Sequence, residues 1–294
     1  PGGTVYVSPS KVETVQKSPL DWFVQAAGGE AATDFARSLG TLVHAIAQDL
    51  PDASGSEYVA ELVRRWPALG MKDNWEGKLD FQRAETMVRK LAQYVLVMRS
   101  EGRSLVGVEL DFEVKLADIV DPAGNPGGNP PGNPGVDTVA DADRDSWPAR
   151  PTVLRGQVDR LEIDAEGRLV VVDLKTGKRQ PGKADLERHP QLGAYQAAVL
   201  AGGFAGPDDG PPPLPGGAVL AQLGTTTKSP GIQAQAPLDP AENWALDMVG
   251  DAARVMSGST FEARHDPSKS GHGGHGCRLP EVCPLCLRGK QVTE

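Results

Sequence analysis

The stretch GQVDRLEIDAEGRLVVVDLKTGK, residues 156–178, decides the fold. Two apolar runs flank the turn segment Asp164–Gly167, so the stretch predicts an antiparallel hairpin. Charges interrupt the alternation: Asp159 lies on the first strand, and Asp173 and Lys175 end the second. Residues two apart in a strand share a face, and Asp159 can meet the other two across the ladder. The hairpin therefore predicts a cluster of two carboxylates and one ammonium.

Composition restricts the class of protein. The chain has 294 residues, 39% of them hydrophobic, with 35 glycines and 25 prolines, which suits one large domain with long loops. A net charge of -9 excludes a generic basic nucleic-acid coat, but not an enzyme whose acidic site holds a divalent cation. No apolar run could span a membrane and no signal peptide is visible, so we expect a cytoplasmic protein without a membrane partner. The start at Pro1 favours an excised module or a processed chain.

Hydrophobic periodicity predicts an α/β protein with a central mixed sheet flanked by helices. A Pro/Gly-rich stretch is predicted to be a disordered insertion in a hairpin, and a Cys-rich tail to be irregular. We expect one domain, 1–294, with a helical part 8–102, a sheet core 103–257, an insertion 121–151 and a tail 265–294.

The charged hairpin has the chemistry of a metal site. A phosphodiester nuclease must hold a divalent metal against the scissile phosphate and orient a water. Hard cations such as Mg²⁺ need oxygen ligands, which the Asp159 and Asp173 carboxylates supply. Asp-x-Lys is a common tripeptide, however, and two carboxylates and a lysine on paired strands are most often solvated ion pairs. Both interpretations stay open on the hairpin alone.

Further motifs make the chain resemble the PD-(D/E)xK nuclease superfamily, and within it the RecB-type branch. GQVDRLEI fits the Gly-x-x-Asp-Arg element and VVVDLKTGK the second element. HPQLGAYQAAV supplies Gln191 and Tyr195 as the Gln-x-x-x-Tyr pair, and His44 in LGTLVHAIA fits the upstream histidine. The elements occur in the family's order over roughly residues 8–200. The resemblance implies a restriction-endonuclease-like fold and a divalent-metal-dependent deoxyribonuclease that uses Mg²⁺ or Mn²⁺.

The resemblance also implies a role for each matching position. The implied metal ligands are His44, Asp159, Asp173 and the backbone carbonyl of Leu174. The implied catalytic residues are Asp159, Asp173, Lys175, Gln191 and Tyr195. Lys175 would position or activate the attacking water, and Gln191 and Tyr195 would orient the lysine or bind the phosphate backbone. Glu113, in ELDFEVKL, is a further acidic candidate.

Ordinary structural roles remain as alternatives for several of these residues. His44 is equally compatible with a helix histidine that has a satisfied hydrogen bond. Gln191 and Tyr195 are one helical turn apart, as in a core-edge pair. Arg160 could bind phosphate, although an arginine at a strand edge usually finds an acidic neighbour.

The cysteines form a separate pattern, C-x5-C-x2-C, near the C-terminus: Cys277, Cys283 and Cys286. An odd cluster without a secretion signal favours metal ligation over disulfides. Resemblance to AddB- and AdnB-type nuclease domains implies a [4Fe-4S] cluster whose fourth cysteine lies on the N-terminal helix, where this chain has Ser18, a poor iron ligand. The substitution is either a natural loss or an engineered one. Zn²⁺ bound with His272 and His275, or free thiols, are the alternatives.

The resemblance is closest to the C-terminal nuclease module of AdnAB/AddAB-type helicase–nucleases. It implies single-stranded DNA or DNA ends as substrate and a helicase motor, covalent or as partner subunit, in double-strand break repair and recombination. The sequence has no G-x-x-x-x-G-K-[ST] loop, so this chain does not hydrolyse ATP by that route. The alternatives are a non-catalytic DNA-guiding domain and an iron–sulfur or zinc interaction module.

Overall fold

The structure is a computed structural model that describes residues 3–28, 35–71, 73–116, 150–204, 213–239 and 244–264, with the backbone alone for 35–37. The strands in this part are β1 Val5–Val7, β2 Ser104–Lys115, β3 Thr152–Ile163, β4 Leu169–Lys175, β5 Pro215–Gln222 and β6 Gly231–Gln235. The α-helices are α1 Pro9–Lys17, α2 Pro19–Ala26, α3 Phe35–Asp49, α4 Gly55–Arg65, α5 Trp75–Ser100, α6 Lys183–Glu187, α7 Pro190–Leu200 and α8 Trp244–Ser257. A 3-10 helix, Trp66–Leu69, follows α4.

The six strands form one mixed sheet in the order β1-β3-β4-β5-β6, with β2 on the other edge of β3. Strand β3 is antiparallel to β2 and β4, and β4 is parallel to β5. Along the edge of β3 that faces β4, β1 pairs with Thr152–Leu154 and β4 with Arg160–Ile163. The part of β3 between these two ladders is therefore left open. The predicted α/β class with a helix-flanked mixed sheet is confirmed.

Helices cover both faces of the sheet and form two cores. Helices α1, α7 and α8 pack on one face, against residues such as Val171 and Leu220. Helices α3, α4 and α5 pack on the other, against residues such as Val172 and Val219. Successive residues of a strand point to opposite faces, so the run VVVDL is buried on both sides, as expected of a central strand.

Two local predictions were wrong. The sequence predicts one helix from Asp185 to Gly203, but α6 ends at Glu187 and α7 begins at Pro190. Proline has no N–H and disfavours a helical residue before it, so the chain turns at the extended His189. As a result, Gln191 lies in the first turn of a new helix that is directed at β4.

The alternation of β2 also breaks. The sequence predicts Val106 and Val114 on the same buried face, whereas Val106 is 38% exposed and Val114 is buried. The register of β2 with β3 shifts between Leu105 and Gly107, so Val106 is the extra residue of a bulge, and Glu109 has φ 49°, a left-handed conformation that further disturbs the alternation. Short β1 and β6 were not predicted, because strands of three and five residues carry little periodicity of their own.

The ends of the described chain are in contact. The Leu20 N–H donates to the Glu262 carbonyl at 3.1 Å, and the Phe23 ring stacks on Phe261 at 4.3 Å between centroids. Most of the predicted insertion and all of the tail 265–294 lie outside the described residues, so the domain boundaries stay predictions. No helix in the described part of the chain is long and apolar enough to cross a bilayer.

Candidate active site

The candidate active site begins where β3 and β4 separate. Their ladder ends at the pair Arg160–Val172, so the next pair in register, Asp159 and Asp173, lies at the fork. The Asp159 carboxylate takes over the missing backbone contact, because its Oδ2 accepts the Leu174 N–H at 2.6 Å. This bond fixes the carboxylate at the fork while leaving Asp159 only half-buried.

Asp173 lies on β4 with 4% exposure, and its two oxygens have different neighbours. Oδ1 accepts a hydrogen bond from Gln191 Nε2 at 2.8 Å. Oδ2 lies 2.8 Å from Lys175 Nζ, but no aligned hydrogen bond reaches it from any described residue, so this contact is mainly electrostatic. Burial raises the pKa of Asp173 to about 6, and the Asp159 charge adds to the rise while Lys175 opposes it.

Gln191 of α7 bridges the two charged groups of β4. Its Oε1 accepts a hydrogen bond from Lys175 Nζ at 2.8 Å while its amide nitrogen holds Asp173. A side-chain amide can do both because it carries a donor and an acceptor. Gln191 therefore holds the Lys175 ammonium and the Asp173 carboxylate in a fixed relation, and its catalytic role stays a prediction.

A second set of ligand atoms lies on the other side of Asp159. Helix α3 brings His44, whose Nδ1 lies 3.5 Å from Asp159 Oδ1. Strand β2 brings Glu109, which the pairs Val108–Arg160 and Leu110–Val158 place opposite Asp159. One ligand atom from each of the three residues lies within 4.8 Å of the other two. The metal-ligand group is defined as His44, Glu109 and Asp159.

The electrostatics of the metal-ligand group favour a cation. Burial raises the pKa of the Glu109 carboxyl, and the Asp159 charge raises it further. Burial lowers the pKa of His44, but the hydrogen bond and charge of Asp159 outweigh this, so the net shift is upward. The negative charge of Asp159 contributes to both pKa rises, in addition to the burial of Glu109. Carboxylate oxygens with one imidazole are a donor set that suits Mg²⁺ and especially Mn²⁺.

Glu109 was not predicted from the sequence, whereas Glu113 was. Glu113 is exposed and is paired in register with Arg155, four residues further along β2 from Glu109. The left-handed Glu109 is a non-glycine residue in a rare conformation, which is common at functional sites. Alternation could not reveal it, because the alternation of β2 is disturbed at this residue. Asp173 is not one of these three residues, because its oxygens contact Gln191 and Lys175, but it lies beside Asp159, its neighbour in register at the fork.

Tyr195, one turn after Gln191, contacts the strands that carry the site. Its hydroxyl donates to the Gln157 carbonyl at 3.1 Å, and its ring meets Phe112 edge-on at 6.1 Å. The Gln157 side-chain amide in turn donates to the Glu109 carbonyl at 3.1 Å. Burial raises the pKa of Tyr195, so it stays a protonated donor. Tyr195 thus links α7 to the strand segment that carries Glu109.

Arg160 points away from the site into a buried ion network, defined as Tyr94, Arg103, Arg160 and Glu162. Arg160 is 2% exposed and donates to Glu162 Oε1 at 2.6 Å and to Asp52 Oδ1 at 3.0 Å. Arg103 donates to Glu162 Oε2 at 2.8 Å. The acidic-neighbour alternative for Arg160 is the one that the structure favours, and phosphate contact is ruled out by this burial.

The cysteine pattern lies outside the described residues, as do His272 and His275. Its predicted partner Ser18 is described: it is 8% exposed and caps α2, where its Oγ accepts the Asp21 N–H at 3.3 Å. Ser18 therefore has a structural role that needs no metal. The iron–sulfur and zinc alternatives stay predictions.

The fold and the site together define a class: an α/β protein that gathers acidic side chains and a lysine at the fork of a central sheet, as metal-dependent hydrolases do. A family model described as the PD-(D/E)XK nuclease superfamily matches residues 6–284. The chain belongs to the PD-(D/E)XK nuclease superfamily, and membership implies a metal-dependent nuclease. No curated protein matches the chain significantly.

Among solved structures, one described as "Crystal structure of SSO0001" is similar to this chain at 11% identity, with a TM-score of 0.39. The alignment covers 96% of this chain and 87% of that chain. This likeness is too weak to add to the assignment, which depends on the family model.

Proposed function

We propose that the protein is a RecB-type nuclease module that hydrolyses phosphodiester bonds of single-stranded DNA with Mg²⁺ or Mn²⁺. The observation that carries the proposal is the fork between β3 and β4. There the metal-ligand group lies on one side of Asp159, and the Asp173–Lys175–Gln191 set lies on the other. A phosphate at the fork would meet both sets at once.

The residues at the fork have different proposed roles in catalysis. His44, Glu109 and Asp159 would hold the divalent ion, with Asp173 and the Leu174 carbonyl as further ligands. The ion would neutralise phosphate charge and acidify a water that it binds. Lys175, whose side chain is 34% exposed, can reach solvent and is held ready by Gln191 to orient the attacking water. Tyr195 positions Gln157 and, through it, Glu109.

The RecB-type attribution is supported by three elements outside the hairpin. His44 contacts Asp159 from α3, and from α7 Gln191 contacts Asp173 while Tyr195 donates to the Gln157 carbonyl, which is consistent with the roles that the resemblance implies. By the same resemblance, we propose that the module works with a helicase motor on broken DNA ends. A cleavage assay with and without such a motor and ATP would test this further step, since the motor should make cleavage depend on ATP.

The test of the proposed function is a cleavage assay on labelled single-stranded DNA with Mg²⁺, Mn²⁺ or EDTA. We expect the wild-type protein to cut with either metal and not in EDTA. Asp159→Asn and Lys175→Ala should each lower kcat by about 10³-fold, because the first removes a charged ligand of the divalent ion and the second removes a positive charge beside the phosphate. Glu113→Gln, an exposed carboxylate on β2 outside the metal-ligand group, is the matched control. Full activity of both site variants would overturn the site, and a wild type that never cuts would overturn the activity.

A further inference from the structure

A set of unpaired cations lies beside the fork. The basic rim is defined as Lys178, Arg179, Lys183 and Arg188, which follow β4, and Lys228, which follows β5. All five are exposed, and none forms an ion pair with another described residue, whereas arginines such as Arg64, Arg89 and Arg168 bind carboxylates. Asp185 and Glu187 lie in the same segment, so four cations and two carboxylates give residues 178–188 a net charge of +2, a local positive charge in a chain of net charge -9.

The loops that carry the basic rim are joined to the end of β4. The Leu223 and Gly224 N–H groups donate to the Lys175 carbonyl at 2.8 and 3.2 Å. A Cβ on Gly224 would lie 1.9 Å from the Thr176 carbonyl oxygen, so the two loops touch through their backbones. Lys178 and Arg179 are three and four residues beyond Lys175, a reach of at most ~14 Å. The nearest members of the rim are therefore within a few nucleotides of the fork.

Buried polar side chains hold these loops in place. Lys90 of α5 is 1% exposed and donates to the Leu223 carbonyl at 3.2 Å and to the Thr225 carbonyl at 2.6 Å. Gln233 donates to the Pro181 carbonyl at 2.9 Å, and Gln235 to the Leu186 carbonyl at 3.0 Å. A loop fixed by such bonds has little left to order when it binds a ligand, which favours binding.

The opposite side of the site has the wrong charge for a phosphate backbone. A groove there is lined by Ser8, Asp111, Phe112, Glu113, Arg155, Gly156 and Gln157. Its carboxylates Asp111 and Glu113 lie beyond Glu109 on β2, and a single arginine, already stacked at 4.0 Å on Tyr6, opposes them. DNA phosphates would be repelled by the carboxylates of this groove and attracted by the cations of the basic rim.

We propose that the basic rim binds the phosphate backbone of the DNA strand next to the scissile bond, with Lys178 and Arg179 as the nearest contacts. This inference rests on the proposed function and adds the side from which the strand reaches the fork. Binding by the rim is separable from catalysis, because none of its residues belongs to the metal-ligand group or contacts Lys175, Asp173 or Gln191 through an ion pair.

The test compares two double variants that change the net charge equally. Lys178→Gln/Arg179→Gln neutralises the two rim residues nearest the fork, and Arg99→Gln/Arg168→Gln neutralises two half-exposed arginines, one that pairs with Asp52 and one beside the β3–β4 turn. Kinetics on single-stranded DNA would be measured with Mn²⁺. The affinity for the same strand would be measured by fluorescence anisotropy with Ca²⁺ over a range of salt. Thermal melting would verify that both variants are folded.

We expect the rim variant to raise KM about tenfold and to leave kcat within about twofold of the wild type. This pattern is expected when the lost contact binds the ground state and the transition state equally well. Its log–log salt slope should fall by about 1.4, since two phosphate contacts each contribute about 0.7 on a single strand. The control should match the wild type. Equal effects of both variants, or no effect of the rim variant, would overturn the inference. A wild type that does not cut would overturn the proposed function alone, because the anisotropy still reports binding by the rim.

Discussion

Two polar clusters share strand β3, and adjacent residues belong to each: Asp159 to the candidate active site and Arg160 to the buried ion network. In the network, the fully buried Glu162 receives a guanidinium on each oxygen, and the Tyr94 hydroxyl lies 3.0 Å from Oε1. In the candidate site, three carboxylates face one lysine, and the pKa values of Glu109, His44 and Asp173 are all raised. In the first cluster each guanidinium also has a second carboxylate, Glu101 for Arg103 and Asp52 for Arg160, so every buried charge there is paired, whereas the second cluster has more carboxylates than cations.

The difference teaches how to tell a structural charge from a functional one. Burying a charge is costly unless partners satisfy it, so a structural cluster must be balanced within itself. A site that binds a cation must instead keep a surplus of negative charge. The free-energy cost of burying this surplus is offset only when the ion binds. Raised carboxyl pKa values and the buried Asp173 Oδ2 without a hydrogen bond are the marks of the second kind.

The largest effect on stability is expected in the network. Glu162→Gln removes the buried carboxylate that Arg103 and Arg160 share and leaves each with one more exposed partner, Glu101 or Asp52, so the free energy of unfolding should fall by about 3 kcal/mol. Urea unfolding in EDTA would measure it. Asp159→Asn is the matched amide substitution on the same strand, and it should cause no loss because it removes repulsion. A similar loss in both variants would show that the two clusters are not different in kind.

A pH-dependent effect is expected from Asp173. Its pKa rises from 3.8 to about 6 on folding, so the unfolded state releases the proton first as the pH rises. The native state loses stability between these two values and keeps the full loss above the higher one. Asp173→Asn removes this term and should gain about 3 kcal/mol over the wild type at pH 8, but not at pH 3.5. Urea unfolding in EDTA at both pH values would measure it. A gain that is equal at both values would contradict the assignment.

A metal-affinity effect is expected from Glu109. Glu109→Gln removes one charge from the metal-ligand group, so the Mn²⁺ concentration for half-maximal cleavage should rise about tenfold. Glu113→Gln changes the same residue type on the same strand outside the group, and its metal dependence should match the wild type. Titration of cleavage against Mn²⁺ would measure both. If Glu113→Gln shifts the midpoint and Glu109→Gln does not, the sequence-based choice of acidic residue was the better one.

The part of the site that the sequence predicts is the part set by local geometry. The positions of Asp173 and Lys175 follow from strand spacing, and the meeting of Asp159 with Asp173 follows from hairpin register. Even the Arg160–Glu162 pair has strand spacing, two residues apart on one face. The break before α7 was readable from Pro190, and it was missed because the apolar pattern continues through it.

The part that the sequence did not predict depends on contacts between distant segments. Glu109 joins the site because β2 pairs with β3 and because its backbone is left-handed, and neither fact is visible in the spacing of ELDFEVKL. Strands β1 and β6 exist because a neighbouring strand accepts their hydrogen bonds. The Asp52 and Tyr94 contacts of the ion network span loops and helices more than sixty residues away from β3.

The smallest predicted effect sets the scale for the others, because it concerns one hydrogen bond outside both clusters. Ser18 caps α2 through the Asp21 N–H, so Ser18→Ala should lower the free energy of unfolding by about 1 kcal/mol. Ser8 precedes α1 in the same N-cap position but makes no capping bond, so Ser8→Ala should stay within about 0.3 kcal/mol of the wild type. Urea unfolding would compare them. Equal losses in the two variants would contradict the capping role of Ser18. They would also leave no measured value for a single neutral hydrogen bond with which to compare the loss in Glu162→Gln.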